Sequence, residues 1–318
     1  MAGVTDAPFR DLAWRGGAGY VVAEMTSAKP ALWNTPKSRA RRQQLGTDAP
    51  LVVQIAGSEP LALAAAARRN WQAGAAIIDI NFGCPAKKVC RRAAGSALLS
   101  QPLLVEELVA AVVAAVPVPV TVKMRTGPNP QKRCAPELAR RLEGVGARAI
   151  AVHGRTRACK FVGAVEYDTI AAVKDAVGIP VWANGDIGNV SEARSVLAAT
   201  HADGVMIGRA ALGAPWLPGV LAEALAQELA DEQALLPDLN ARLQQLCEQV
   251  QLLQNFYGPA QGLRIARKHA QWCLTHESLA QGEQSTLAPF AKTLVRINDA
   301  AEQLDFLHGL TEHLEQAA

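Results

Sequence analysis

The residue with the clearest chemical potential is Cys84, set in the turn Asn81-Phe82-Gly83-Cys84-Pro85 directly after an apolar run. A thiol held in such a turn can act as a nucleophile if a neighbour depresses its pKa. It can equally act as a general acid, because an ordinary thiol with a pKa of roughly 8.5 still carries its proton at neutral pH. Three more residues put polar atoms into otherwise apolar runs: Gln54 in VVQIA, Lys123 in VTVKMR and His153 at the end of IAVH. A buried lysine or glutamine is costly without partners. An ion pair could satisfy Lys123, and His153 alone would pass for a core histidine. Three such residues at three run ends point instead to one shared polar ligand. Two glycine-containing turns, Asn184-Gly185-Asp186 and Gly208-Arg209, suit backbone N–H groups and a guanidinium closing on a phosphate, and they also suit ordinary turns.

The elements that must position these residues read as alternating strands and helices. Strands are expected at 20–23, 51–56, 76–80, 120–124, 149–152, 181–183 and 204–207. Helices are expected at 59–73, 103–115, 135–145, 168–176 and 191–198. Nearly continuous apolar strands at this spacing indicate a parallel sheet covered on both faces, with helical crossovers. A doubly wound sheet is the alternative, but no GxGxxG follows a strand, so the α/β TIM (β/α)8 barrel is preferred, with its first strand apparently truncated. The abrupt opening Met1-Ala2-Gly3-Val4-Thr5-Asp6 reads as the loop after that strand, with Thr5 or Asp6 capping the next helix. In such a barrel every residue named above falls at a strand's C-terminal end, where the active face lies. Beyond residue 240 the pattern is helical only, at 240–257, 262–275 and 286–302, which reads as a small C-terminal helical bundle. The expected domains are 1–233 and 234–318.

The chain has 318 residues, half of them hydrophobic, which is enough for a large core. It contains no apolar run long enough for a membrane span and no signal-peptide pattern at its start. The six cysteines, without a CxxC pair or a Cys/His cluster, read as reduced cytoplasmic thiols and not as metal ligands.

Net charge is only +3, yet the basic residues are unevenly placed. Windows 36–45, 84–95, 121–134 and 153–163 hold fifteen Lys or Arg and no Asp or Glu. They are Lys37, Arg39, Arg41, Arg42, Lys87, Lys88, Arg91, Arg92, Lys123, Arg125, Lys132, Arg133, Arg155, Arg157 and Lys160. Solvated loops often carry charge, but the exclusion of every acid favours a polyanion partner. In Arg-Ile-Ala-Arg-Lys-His, the residues Arg264, Arg267 and Lys268 share one helical face and could extend that strip.

These stretches together resemble bacterial tRNA-dihydrouridine synthases, most closely subfamily B (DusB). The matching segments are MAGVTDAPFR, VQIAGS, DINFGCPAKKV, AGSALL, VKMRTG, HGRTRA, ANGDI, MIGRAALGAPW and FYGPAQGLRIARKH, in family order over nearly the whole chain. The resemblance implies a cytoplasmic, monomeric, FMN-dependent enzyme that uses NADPH to reduce the C5–C6 bond of a D-loop uridine in tRNA. It implies Cys84 as the proton donor. It implies FMN contacts from Met1, Ala2, Gln54, Lys123, His153, Asn184, Gly185, Asp186, Gly208 and Arg209. It implies tRNA contacts from Asn81, Lys87, Lys88, Arg125, Arg155, Arg264, Arg267 and Lys268. No metal and no membrane are expected. Two departures from the family pattern are a strand and a proline expected before Met1, and Cys90 where asparagine is common. A small-molecule FMN oxidoreductase would explain the flavin residues but not the basic windows; a non-catalytic RNA-binding barrel would explain the basic windows but not Cys84 with Lys123.

Overall fold

A computed structural model of the chain describes residues 1–46, 48–90, 94–276 and 281–317; the side chains of residues 87, 88, 281–285 and 315–317 lie outside the description. Among the described residues seven parallel strands run in sequential order: β1 (Thr26–Ser27), β2 (Val52–Ala56), β3 (Ile77–Phe82), β4 (Val120–Arg125), β5 (Ala149–His153), β6 (Val181–Asn184) and β7 (Gly204–Met206). Most of β2 to β5 is buried, as a sheet covered on both faces requires. The covering helices include Pro60–Gln72, Pro102–Ala115, Ala135–Gly144, Asp168–Ala176 and Val190–Thr200. Several begin with proline, which fits the first helical turn because its missing N–H would have no partner there. Asn189 caps Val190–Thr200 by accepting the Glu192 N–H at 2.8 Å, and Glu192 accepts the Gly188 N–H in return. The TIM-type βα succession read from the sequence is therefore present.

The first strand differs from the expected one. Within residues 20–23 the Ala23 N–H reaches Val52 O at 3.0 Å, but the ladder forms later, at Thr26↔Ile55 and Ser27↔Ala56. Tyr20 is used otherwise. Its ring stacks on Trp182 of β6 at 4.9 Å, and its hydroxyl lies 3.4 Å from Thr121 of β4. A residue ahead of β1 that touches β4 and β6 requires the sheet to curl, which is the barrel's curvature.

By compactness, Met1–Ala7 with Tyr20–Gly208 form one unit, and Pro8–Gly19 with Arg209–Ala318 form a second. The helix Leu217–Ala226 and most of Ala7–Arg15 go with the C-terminal helices, for visible reasons. Arg15 bridges to Glu248 at 2.7 Å, Phe9 packs 6.0 Å from the His269 ring, and Arg242 lies against the Trp216 ring. The second unit's core gathers Leu243, Leu246, Val250, Leu253, Ala270 and Leu294. Each buried leucine there contributes roughly 2 kcal/mol. The expected single helix 286–302 is two, Gln281–Leu294 and Ala300–Ala317. Asp299 breaks it by accepting the Ala301 and Glu302 N–H groups, starting a new helix.

Candidate functional site

The site is built on β2, β3 and β4 of the first unit. Asp79 sits in the middle of β3 with 4% of its surface exposed. It accepts from Thr121 Oγ1 at 2.7 Å and from Gln54 Nε2 at 2.7 Å. Gln54 Oε1 in turn accepts from Asn81 Nδ2 at 2.8 Å. Asn81 Oδ1 then accepts the backbone N–H groups of Gly83 at 3.2 Å and Cys84 at 2.9 Å. One chain of hydrogen bonds therefore runs from a buried carboxylate, through Gln54, to the turn that carries the thiol. Each amide in it is fixed in orientation, because its two ends have opposite partners.

The Cys84 carbonyl is held as firmly as its N–H. It accepts from Ser96 Oγ at 2.8 Å and Ser96 N at 3.1 Å, and Cys90 Sγ lies 3.6 Å away. Gly95 makes this approach possible: it has φ +63°, and a Cβ there would meet Cys84 O at 2.9 Å.

Charge in the site is governed by burial. Lys123 is pushed down to about 7, first by burial and then by Arg125, with Asp79 pulling the other way. Burial raises Asp79, while Thr121, Gln54 and Lys123 oppose that rise. His153 is held well below its usual range, first by burial and then by Lys123, Arg125 and Arg155, so the imidazole is neutral. Burial also pushes the Arg125 guanidinium down to about 10, opposed first by Cys84.

Two residues expected at the RNA are placed otherwise. Arg125 and Arg155 are buried, at 2% and 4% exposure. Arg125 donates to Gly83 O at 2.7 Å, Thr156 O at 3.1 Å and Lys160 O at 2.6 Å. Arg155 donates to Gly163 O at 2.6 Å and pairs with both oxygens of Asp186. Arg155 spends its fork on Gly163 and Asp186, and Arg125 spends its Nε and Nη1 on three carbonyls, so both brace the loops around the site. Their sequence signal, cations free of nearby acids, does not distinguish the two roles.

Asn184 donates to Met206 O at 2.7 Å, tying β6 to β7, and Tyr167 OH donates to Gly185 O at 2.9 Å. Gly185 has φ +137°, and a Cβ there would press on the Val165 and His153 side chains. Gly208 lies near Asn184, and Asp186 is exposed but committed to Arg155. Met1 and Ala2 are exposed in a turn closed by Val4 N and Thr5 N donating to Met1 O.

The family model described as "Dihydrouridine synthase (Dus)" matches residues 1–317. The chain belongs to the dihydrouridine synthase family. It is 49% identical over 315 residues to "tRNA-dihydrouridine synthase B" of Escherichia coli (strain K12), covering 98% of this chain and 94% of that protein. The same figures hold for the protein of that name from Salmonella typhimurium. Identity to the Yersinia pestis protein of that name is 48% over 316 residues, covering 99% and 95%.

In this dihydrouridine synthase family member several of the remaining expected contacts belong to the second unit. Arg209 is exposed and opens the 3-10 turn Arg209–Ala211 of the second unit. Arg264 and Lys268 are exposed on the helix Pro259–Leu274. Arg267 on that helix is half-buried and donates to Ile297 O and Asn298 Oδ1. Of the basic windows, Lys37, Arg39, Lys132, Arg133 and Lys160 are exposed, although Arg133 pairs with Glu166. The side chains of Lys87 and Lys88, and all of Arg91 and Arg92, lie outside the described residues. Among the described residues no group of three or more His, Cys, Asp or Glu could hold a metal, and no helix is long and apolar enough to cross a membrane.

The sequence reading missed Asp79, Thr121, Tyr20 and Glu24. Asp79 was legible in principle: it interrupts the apolar run IIDINF just as Gln54 and Lys123 interrupt theirs. Glu24, 5% exposed, accepts the Gly3 N–H at 2.5 Å and lies 3.5 Å from Arg41, which fixes the turn carrying Met1 and Ala2.

Proposed function

We propose that this protein is a cytoplasmic, FMN-dependent tRNA-dihydrouridine synthase that works as a monomer and draws on NADPH to saturate the C5–C6 bond of a D-loop uridine. In this reading residues 1–233 form the catalytic domain and 234–318 the tRNA-binding domain. The observation that carries it is the linkage of Cys84 to Gln54 through Asn81, which ties a proton donor to a flavin-facing amide in one hydrogen-bonded frame.

The residues present suit a flavin mononucleotide. Gln54 keeps a second Nε2 hydrogen and a second Oε1 lone pair for a ring carbonyl or nitrogen. Lys123 adds a cation that burial has made easy to neutralise, matched to an electron-rich ring edge. His153 stays neutral beside it. The turns at Asn184, Gly185 and Asp186, and at Gly208 and Arg209, suit the phosphate end, with Asp186 acting through Arg155 and not on the phosphate itself. Met1 and Ala2 complete the contacts from the first turn. A flavin held by these residues would supply the hydride for C6 of the uracil, with NADPH as its reductant.

Everything else falls to the chain. Cys84 gives its Sγ proton to C5, so hydride and proton together add one H2 across the double bond. The thiolate that remains faces the positive charge of Arg125 and regains its proton from solvent. Asn81 and Ser96 grip the N–H and the carbonyl of Cys84, which keeps the sulfur in one place through the cycle. Arg264 and Lys268 offer exposed cations to tRNA phosphates.

Cys84→Ala is the direct test. FMN content and tRNA affinity should stay at wild-type levels while dihydrouridine formation falls by about 10²- to 10⁴-fold. Unchanged turnover in that variant refutes the proton-donor role.

A further inference from the structure

The loop after β5 carries two adjacent apolar side chains in water. Phe161 is 52% exposed and Val162 77% exposed. Single exposed hydrophobics are common on any surface. Leu61 and Leu103 are of that kind, each at the start of a helix that covers the sheet. Phe161 differs in how it is held and in what lies beside it.

The loop is rigid by construction. Arg125 holds the carbonyls of Thr156 and Lys160, and Arg155 holds the carbonyl of Gly163. The tip is closed on itself by Val162 N donating to Cys159 O at 2.9 Å and by Thr156 Oγ1 reaching Cys159 Sγ at 3.1 Å. Its base is pinned by Arg157 N donating to Gly127 O and Ala158 N to Pro128 O. Two buried arginines therefore hold the backbone of the loop that presents an exposed aromatic ring. That is a poor use of charge if the ring has no task.

The ring is also next to the reactive centre. The Arg125 guanidinium lies 5.2 Å from the Phe161 centroid and, through its Nε, also holds Gly83 O in the turn that carries Cys84. The His153 ring is 6.3 Å away. The stretch from Gly154 to Val165 contains no acidic residue, and the exposed Lys160 and half-buried Arg157 flank the ring with positive charge. A flat apolar face among cations, beside a site for a pyrimidine, has the character of a nucleobase platform. RNA-binding proteins capture unpaired bases by stacking them on such rings.

We propose that Phe161, backed by Val162, is the stacking platform for an unpaired nucleobase of the RNA substrate at the mouth of the site. The proposal rests on the tRNA reading given above and adds a substrate-recognition residue to it. The rigid loop removes the entropy cost of ordering the ring when RNA binds.

The test uses unmodified tRNA transcript with the FMN-loaded wild type and with Phe161→Ala, Phe161→Leu and Phe161→Trp. Absorbance gives FMN per chain, and thermal melting checks folding; the loop's hydrogen bonds are to backbone, so all variants should fold. The alanine and leucine variants should both lose about tenfold in tRNA affinity, and tryptophan should restore it. The slope of log affinity against log salt should not change, because every phosphate-neutralising cation is still in place. In Phe161→Trp, indole fluorescence should quench when tRNA binds. Leucine performing as well as phenylalanine, or affinity unchanged in alanine, overturns the platform while leaving the enzyme reading intact. Loss of FMN from Phe161→Ala also overturns it, because the ring would then serve the cofactor. A wild-type protein that neither binds nor reduces the transcript overturns the tRNA reading itself, and the platform with it.

Discussion

Gln54 on β2 donates to Asp79 on β3 at 2.7 Å, and this one bond sets which end of the Gln54 amide faces which neighbour. Asp79 is acceptor-only when ionised, so Nε2 must turn toward it and Oε1 toward Asn81. A carboxylate that touches neither the thiol nor the outside thereby decides what the site offers a ligand.

Replacing Asp79 by Leu should disturb this order. Thr121 and Gln54 both donate to Asp79, and leucine offers neither an acceptor. Gln54 Nε2 would be left without its partner, free to turn, at a cost of about 1–3 kcal/mol. FMN affinity should weaken about tenfold or more, measured by flavin retention on dilution. Flavin retained at the wild-type level in Asp79→Leu would show that Gln54 orientation does not matter to the cofactor.

Arg125→Lys should uncouple the Cys84 turn from the loop after β5. A lysine ammonium cannot span Gly83, Thr156 and Lys160 as the planar fork does. Unmatched buried carbonyls should lower stability by about 2–4 kcal/mol, seen as a reduced denaturant midpoint. Turnover should fall more than tRNA affinity does, since Arg125 is buried and holds the turn that carries Cys84.

On the helix Pro259–Leu274 the neighbouring cations should separate by role. Arg264→Ala with Lys268→Ala should weaken tRNA binding and reduce the salt slope by about 1 for each phosphate no longer neutralised. Arg267→Ala should act mainly on folding, because its guanidinium holds Ile297 O and Asn298. Melting curves and salt-dependent binding, measured on the same variants, distinguish the two.

Acid should destabilise the second unit through His269. This ring is fully buried against Gln249, and burial pushes it down to about 4, with Lys268 adding to the fall. The unfolded chain takes up the proton near 6.5, so it binds more protons than the folded one as pH drops. Stability is complete above about pH 6.5 and is lost progressively toward the folded value. In His269→Gln the loss of unfolding free energy between pH 7 and pH 5 should shrink by about 1–2 kcal/mol.

Much of this protein was legible in the linear chain because two periodicities and a few misplaced polar residues carry the information. Apolar runs at βα spacing define parallel strands without knowledge of their neighbours, and β2 to β7 lie within a residue or two of where those runs fall. Gln54, Lys123, His153 and Cys84 stood out because each is out of place in its own segment. The tertiary structure decided what depends on distance between segments. Tyr20 left the ladder for Trp182 and Thr121, and the ladder began at Thr26. Arg125 and Arg155 turned inward because carbonyls from separate loops, and Asp186, converge on them. Asp79 became the hub because β2 and β4 bring Gln54 and Thr121 to its two oxygens. A residue's type and spacing set what it can bond with; only folding chooses the partner, because hydrogen bonds of under 3 Å join residues that lie 25 to 42 positions apart in the chain.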